Sequence, residues 1–218
     1  MKKDLSDNKQ ITYTYFHFGP FLFHTLIKPE ECKILLEEGK KCRKKSNDFR
    51  HRLAGHVSEE YQITNKERIV EWLQKYLKAY ALAYNKWRGR GRMSDNFSLD
   101  ALWINYMKAN EFNPPHDHSG NLSFVIYPDV PKKITKENQA YVGSGGTGPG
   151  CTSWNYGISG NRQCISGVHL MPKTGDLFIF PSALEHWVFP FKSKVERVSV
   201  SGNIFMDKQL YIQPKKDA

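Results

Sequence analysis

Three histidines are the residues of this 218-residue chain whose types and spacing best suit metal chemistry. His116 and His118 lie two residues apart, just before the apolar run from Leu122 to Tyr127. In an extended backbone their imidazoles would point to the same side. His186 lies between two further strand-like runs, and neutral imidazole is a good ligand for iron, zinc, copper and nickel. The pattern predicts a metal site formed by His116, His118 and His186.

Asp117 offers a second ligand set, a triad of one of the first two histidines, Asp117 and His186. Neighbouring residues of a strand point to opposite sides, so this set requires a loop conformation at Asp117. Pro114 and Pro115, immediately upstream, favour an irregular backbone there. The sequence leaves both ligand sets open.

Arg197 begins a predicted strand, ending at Phe205, that has one polar and one apolar side. The polar side carries Arg197, Ser199, Ser201 and Asn203, and the apolar side carries Val198, Val200 and Ile204. An arginine inside a barrel is costly without an anion, because unpaired buried charge is strongly destabilising. A guanidinium with a hydroxyl two residues away suits a carboxylate. We expect Arg197 and Ser199 to bind a small acid beside the metal, with a structural ion pair to an internal Asp or Glu as the alternative.

Two helices and a later series of short strands are expected to position these residues. The first helix begins at Pro29 and ends in the basic tract 40–45, and the second follows the capping-box pattern Thr64 to Glu67. Strands are predicted at 11–23, 99–107, 122–127, 168–170, 177–180, 187–191 and 197–205. Segment 46–63 has no regular pattern. The Gly-rich segment 141–167 predicts an irregular loop whose Trp154 and Tyr156 either cover a substrate or pack on the loop itself.

This order of elements predicts an α+β, mainly β fold, with the sheets forming a double-stranded barrel of jelly-roll, cupin-like type. We expect one domain over residues 1–218, with a helical part at about 28–90 and a barrel core at about 98–206. No apolar run reaches the roughly 20 residues of a membrane span, so a cytoplasmic protein without membrane association is expected. Cys32, Cys42, Cys151 and Cys164 are expected to be free thiols, with a bridge between the last two as a minor alternative. The net charge of +10 admits a nucleic-acid partner.

Three segments together resemble a known family. NPPHDHSGNLSFVIYPDVP, FPSALEHWVFPF and ERVSVSGNIF look like the Fe(II)/2-oxoglutarate-dependent dioxygenases, in a branch close to the prolyl-hydroxylase-like members. The resemblance covers roughly residues 99 to 206. It implies a double-stranded β-helix with the N-terminal helices packed on its major sheet.

The resemblance also implies a reaction. Arg197 and Ser199 would hold the distal carboxylate of 2-oxoglutarate, the other end of this acid would chelate Fe(II), and O2 would be the second co-substrate. The expected activity is hydroxylation of a primary substrate with release of succinate and CO2. That substrate is not predicted: a protein prolyl residue, a small molecule or a nucleic acid all fit. The wider superfamily has a carboxylate where this chain has His118, which leaves His118 or Asp117 as the second ligand.

Two other functions stay open at the level of sequence. One is a non-catalytic jelly-roll protein that binds nucleic acid through its basic surface. The other is a metal enzyme with three histidine ligands that does not use 2-oxoglutarate.

Overall fold

Two antiparallel β-sheets form the centre of the structure, a computed structural model that describes residues 19–45, 47–89, 93, 96–143, 147–157 and 166–206. The strands are β1 (Phe23–Leu26), β2 (Glu60–Gln62), β3 (Phe97–Met107), β4 (Asn113–His116), β5 (Leu122–Asp129), β6 (Thr152–Asn155), β7 (Gly167–Leu170), β8 (Asp176–Pro181), β9 (His186–Val188) and β10 (Arg197–Met206). The larger sheet has the order β1-β8-β5-β10-β3-β2 and the smaller sheet has the order β4-β9-β6-β7. Residues of both sheets line one pocket.

The helices of the described residues are α1 (Pro29–Lys45), α2 (Glu67–Arg88) and α3 (Lys132–Gln139), with a short 3-10 turn at Arg50–Arg52. Side chains of α1 and α2 share a hydrophobic core with the larger sheet, as predicted. Its almost fully buried members include Leu35, Ile69, Leu73, Leu77, Leu102, Ile104, Ile126 and Val200. Burial of each such side chain contributes roughly 1.5 to 3 kcal/mol. This core therefore holds the sheet in place while its opposite face remains available for the pocket.

The ends of α1 and α2 follow from local sequence. In α1, Glu30 and Glu31 lie in the first turn and the basic residues 43–45 in the last, which matches the helix dipole. At the end of α2, Gly89 adopts a left-handed conformation with φ of 70°, and its N–H donates to the carbonyl of Asn85. Both helices lie where the sequence predicts them.

The predicted capping box at Thr64 to Glu67 is wrong. Glu67 is the first residue of α2, and Lys66 precedes it without a side-chain hydrogen bond to the helix. The backbone N–H of Ile63 donates to the carbonyl of Leu102 in β3, so the chain is still attached to the sheet there. Thr64 consequently lies too far ahead of the helix to cap it.

Two segments that were expected to be irregular contain strands. β2 lies within 46–63 and pairs with β3, and β6 lies within 141–167 and pairs with β7 and β9. Trp154 of β6 is only 2% exposed, with its ring centroid 5.0 Å from that of Phe178, so it belongs to the core and does not cover a substrate. Tyr156 is exposed. The sequence also gave no indication of α3.

Other predictions concern the chain termini and the cysteines. Most of the strand predicted at 11–23 lies outside the described residues, and β1 begins at Phe23. Cys32, Cys42 and Cys151 are buried free thiols, whereas Cys164 lies outside the described residues. Within the described part of the chain, each helix is too short or too polar to cross a membrane.

Candidate active site

Strands β4 and β9 bring two of the three predicted histidines together. His116 is the register partner of His186, and their ring centroids lie 4.3 Å apart. The register shifts between Asn113 and His116. Pro114 and Pro115 account for this irregularity, because proline has no N–H to donate to the ladder. The cross-strand pair therefore depends on a short strand that proline interrupts.

His118 lies just after β4 and completes the cluster. Its backbone N–H donates to the carbonyl of Ser182 at 2.9 Å, and its ring packs edge-on against Trp103. One nitrogen from each of His116, His118 and His186 lies within 4.8 Å of the others. This spacing is compatible with three ligands around one ion, since metal to imidazole nitrogen distances are about 2 Å.

Hydrogen bonds orient two of the imidazoles. His116 Nδ1 lies 2.7 Å from the carbonyl of Pro114, and His186 Nδ1 lies 2.9 Å from the carbonyl of Leu184. A carbonyl only accepts, so Nδ1 carries the proton in both rings and Nε2 retains its lone pair. Metal-bound histidines commonly have this outer hydrogen bond, which fixes the ring and its tautomer.

Burial disfavours the protonated, positively charged form of two of these rings. It lowers the pKa of His118 to about 4 and that of His186 to about 3, with a smaller contribution from the neighbouring His116. Both rings are consequently neutral near pH 7, which is the form that binds a metal.

Asp117, the alternative ligand, is exposed and does not belong to the cluster of potential ligand atoms. Its neighbours His116 and His118 point to the pocket, whereas its own side chain faces outward. The structure thus brings together His116, His118 and His186 and leaves Asp117 aside.

Arg197, at the start of β10, is only 2% exposed and lines the same pocket as the histidines. Its Nη1 donates to the carbonyl of Gly150 and its Nη2 to the sulfur of Met107, both at 2.8 Å, while Nε has no partner. Within the described ranges, no carboxylate forms an ion pair with it. Burial lowers the pKa of the guanidinium. A structural ion pair, the alternative considered above, is therefore absent from the described residues, and a bound anion would compensate this charge.

Polar groups of β10 itself and of other strands surround the guanidinium. Ser199 is buried and its hydroxyl accepts a hydrogen bond from Asn105 of β3 at 3.3 Å. Tyr127 of β5 lies beside Arg197, with the guanidinium carbon 5.4 Å from its ring centre, and its hydroxyl contacts that of Thr152. A carboxylate bound at Arg197 would thus have neutral hydroxyl groups nearby.

Asn105, Tyr127 and Trp103 line the pocket but were missing from the sequence prediction. Asn105 was detectable, since it is the one amide in the buried run 102–107 and lies opposite Ser199 in the β3 and β10 register. Tyr127 and Trp103 gave no such signal, because aromatic residues in strands are most often core residues.

The residues fit the cofactor set that the sequence implies. Three imidazole nitrogens converge without a carboxylate or thiolate, which suits a divalent transition metal. The orphaned Nε and the uncompensated charge of Arg197 suit a dicarboxylate such as 2-oxoglutarate. Both features face one pocket.

Comparison with known proteins supports this interpretation. Residues 101–203 match the profile of a protein family described as "Putative 2OG-Fe(II) oxygenase". The comparison with curated protein sequences found no significant match.

Solved structures share the fold at low sequence identity. The viral collagen prolyl hydroxylase vCPH of Paramecium Bursaria Chlorella virus-1, solved as a 2-oxoglutarate complex, is similar over 85% of this chain and 96% of its own, with 13% identity and a TM-score of 0.53. A Pseudomonas putida prolyl-4-hydroxylase is similar over 85% and 92%, with 14% identity and a TM-score of 0.52. The α-ketoglutarate-dependent epimerase SnoN of nogalamycin biosynthesis is similar over 85% and 76%, with 15% identity and a TM-score of 0.51.

These likenesses confirm the predicted double-stranded β-helix. The profile match covers residues 101–203, just under half of the chain, so the barrel core is similar to the 2OG-Fe(II) oxygenases, and the residues of the site fit the cofactors of that chemistry, iron(II) and 2-oxoglutarate.

Proposed function

We propose that this protein is a 2-oxoglutarate-dependent dioxygenase that hydroxylates its primary substrate and releases succinate and CO2. In this proposal His116, His118 and His186 hold the iron. Arg197 and Ser199 hold the distal carboxylate of 2-oxoglutarate. Asp117 takes no part, because its side chain is exposed outside the histidine cluster.

One observation carries the proposal: three converging imidazoles line the same pocket as a buried guanidinium that has no acidic partner in the described part of the chain. Each feature alone has a structural explanation. Together they match the two things that this chemistry requires, a metal with open positions and a site for a dicarboxylate.

The residues of the pocket have distinct roles in this reaction. His116 and His186 present Nε2 because Nδ1 of each donates to a backbone carbonyl. Arg197 fixes the orientation of the co-substrate through its charge, and the apolar side chains of Phe124, Phe180 and Val188 exclude water from the pocket. When bound, iron(II) would activate O2, and 2-oxoglutarate would supply two electrons by its conversion to succinate and CO2, so that one oxygen atom of O2 enters succinate and the other converts a C–H bond of the substrate to C–OH.

Hydroxylation is favoured over other outcomes of this chemistry by the two prolyl hydroxylases among the similar structures. SnoN, which is an epimerase, has the same fold, and product analysis would distinguish hydroxylation from epimerisation. A cytoplasmic location and a nucleic-acid partner stay predictions from composition.

The test is binding of Fe(II) and 2-oxoglutarate to the purified protein without oxygen. We expect a visible metal-to-ligand charge-transfer band in the wild type, and consumption of 2-oxoglutarate with release of succinate once oxygen is admitted. Iron binding without this band would indicate a three-histidine metal enzyme that does not use 2-oxoglutarate. Binding of neither would contradict the proposal and favour a non-catalytic binding protein.

A further inference from the structure

Three side-chain oxygens that line the pocket have no hydrogen-bond partner in the structure. They are Oε2 of Glu60, Oδ1 of Asn105 and Oδ1 of Asn113, and each atom is buried. Leaving a buried polar atom unpaired costs roughly 1 to 3 kcal/mol, and more for a charged group. Three such atoms in one pocket therefore indicate a ligand that supplies hydrogen-bond donors.

Of the three unpaired oxygens, that of Glu60 is the strongest evidence for a ligand. Glu60 is 2% exposed, and within the described residues no Lys, Arg or His forms an ion pair with it. The charged groups that act on it are Glu111, Arg50 and Asp48, two of which are acidic. Burial, reinforced by Glu111, raises the pKa of its carboxyl to about 7.

The loop at Gly55 shows that Glu60 and Asn113 adjoin each other. Glu60 belongs to β2 of the larger sheet and Asn113 to β4 of the smaller one. A Cβ atom at Gly55 would lie 2.1 Å from Oδ1 of Asn113 and 3.0 Å from Oε1 of Glu60. The absence of a side chain at Gly55 allows its backbone to approach both groups, and because both oxygens lie close to the same point beside Gly55, they lie close to each other.

2-Oxoglutarate cannot satisfy these atoms, because a dicarboxylate dianion offers only acceptors. Among the organic molecules of the proposed reaction, the primary substrate is the one that can carry N–H or O–H donors to this side of the pocket. An ammonium group has three N–H donors, no acceptor and a positive charge, which matches three acceptors of which one is a carboxyl.

We propose that Glu60 and Asn113, with Asn105, bind an alkylammonium group of the primary substrate. This inference rests on the proposed function, since it assigns the substrate class of the same pocket. It places the cationic end of the substrate at the β2 and β4 side, while Arg197 holds the acidic co-substrate.

The test compares three small probes of similar size: n-butylammonium, 1-butanol and butyrate. Binding to the wild-type protein at pH 8 is measured by titration calorimetry, first without metal and then with Fe(II) and 2-oxoglutarate under anaerobic conditions. In both states we expect n-butylammonium to bind at least about 10-fold more tightly than 1-butanol, as for a charge-assisted hydrogen bond. Once 2-oxoglutarate occupies Arg197, butyrate should not bind. N-acetyl-lysine methylamide, as a fourth probe, shows whether the ammonium is also accepted on a peptide unit.

Glu60→Gln is the matched variant, because it removes the charge and retains the shape. We expect it to weaken n-butylammonium binding at least about 10-fold. Glu59→Gln is the control, since the neighbouring Glu59 is paired with Arg43 and Lys108. Both variants should be checked by thermal melting, and the probe comparison in the wild type does not depend on either.

The outcomes distinguish failure of this inference from failure of the proposed function. A wild type that shows the charge-transfer band but binds 1-butanol as well as n-butylammonium would overturn this inference and leave the proposed function intact. Unchanged n-butylammonium binding by Glu60→Gln would do the same. A wild type without the band would overturn the proposed function itself.

Discussion

Glu59 and Glu60 are neighbours in the chain, yet their carboxyl groups lie in opposite electrostatic environments. Glu59 is hydrogen-bonded to Arg43 and Lys108, and the bond from Arg43 is the main cause that lowers its pKa to about 2. Glu60 faces the pocket, where burial raises its pKa to about 7. The same contrast holds for two arginines: Arg43 contacts Glu59 and Glu196, whereas Arg197 has no acidic partner among the described residues.

Charged groups that are paired within the protein, such as Glu59 and Arg43, stabilise the fold. Charged groups that lack such a partner in the described ranges, such as Glu60 and Arg197, are candidates for binding a ligand. Beside the helices, Glu31 likewise accepts hydrogen bonds from Lys75 and Tyr76. Such pairs are satisfied within the protein. The pocket charges are not, and a protein retains an uncompensated buried charge only at a cost in stability. Substitutions in the pocket should therefore reduce ligand binding, and substitutions beside the helices should reduce stability.

The largest effect is expected for His186→Ala. It removes one of the three converging imidazoles, so we expect Fe(II) affinity to fall more than about 100-fold, beyond the roughly 10- to 100-fold loss that follows disturbance of an outer hydrogen bond. Anaerobic Fe(II) titration measures this. His169→Ala is the control, because His169 is on the smaller sheet but outside the cluster. Equal Fe(II) affinity in the two variants would refute the assignment of His186.

Arg197→Met tests the unpaired charge. Methionine fills much of the same volume without charge, so the affinity for 2-oxoglutarate should fall at least about 30-fold, the lower end for truncation of a buried charge pair. The free energy of unfolding of the ligand-free protein should stay the same or rise. Arg43→Met should lower the free energy of unfolding and leave the affinity for 2-oxoglutarate unchanged. Calorimetry and urea unfolding of both variants measure these effects. A loss of stability in Arg197→Met would show that Arg197, like Arg43, stabilises the fold.

The inward direction of Arg197 was predictable from sequence, whereas the sequence left open whether an internal Asp or Glu pairs with it. Strict alternation along β10 places Arg197 and Ser199 on the side opposite Val198 and Val200, and the cost of a buried charge then implies an anion. The spacing of His116 and His118 likewise predicted a shared direction, although His118 lies beyond the end of its strand.

The remaining pocket wall could not be predicted because it depends on pairing between distant segments. β2 has three residues, too few to show alternation, and its position is set by register with β3, where Glu60 faces Asn105. β6 has four residues and lies in Gly-rich sequence, so Trp154 appeared to belong to a loop. Glu60 therefore became visible as a pocket residue only in the folded chain.

Glu31→Ala tests the other side of the comparison. The substitution removes the acceptor of hydrogen bonds from the Tyr76 hydroxyl, the Lys75 ammonium and the Lys28 N–H. We expect a loss of about 2 to 4 kcal/mol in the free energy of unfolding, because partners of a buried charged group are left unsatisfied. Affinities for Fe(II) and 2-oxoglutarate should not change. Urea unfolding near pH 7 measures the first quantity, and altered metal binding would show that the helix layer and the pocket are coupled.

The smallest effect, and the sharpest comparison, is the pH dependence of stability in Glu59→Gln and Glu60→Gln. The folded-state pKa of Glu60 lies above its ordinary value of 4.5, so the carboxyl stabilises the fold below pH 4.5 and this contribution is lost as the pH rises to about 7. Glu59 has a depressed pKa, so its contribution is present above pH 4.5 and is lost as the pH falls towards 2.

At pH 8 we therefore expect Glu60→Gln to be more stable than the wild type, by about 2 kcal/mol. A shift from 4.5 to about 7 corresponds to at most about 3 kcal/mol, and the buried amide offsets part of this gain. Glu59→Gln should be less stable than the wild type at the same pH. Urea unfolding from pH 4 to pH 8 measures both differences. If both variants lost stability in parallel as the pH rose, Glu60 would have a partner in the fold, and the pocket would not hold an unpaired acid.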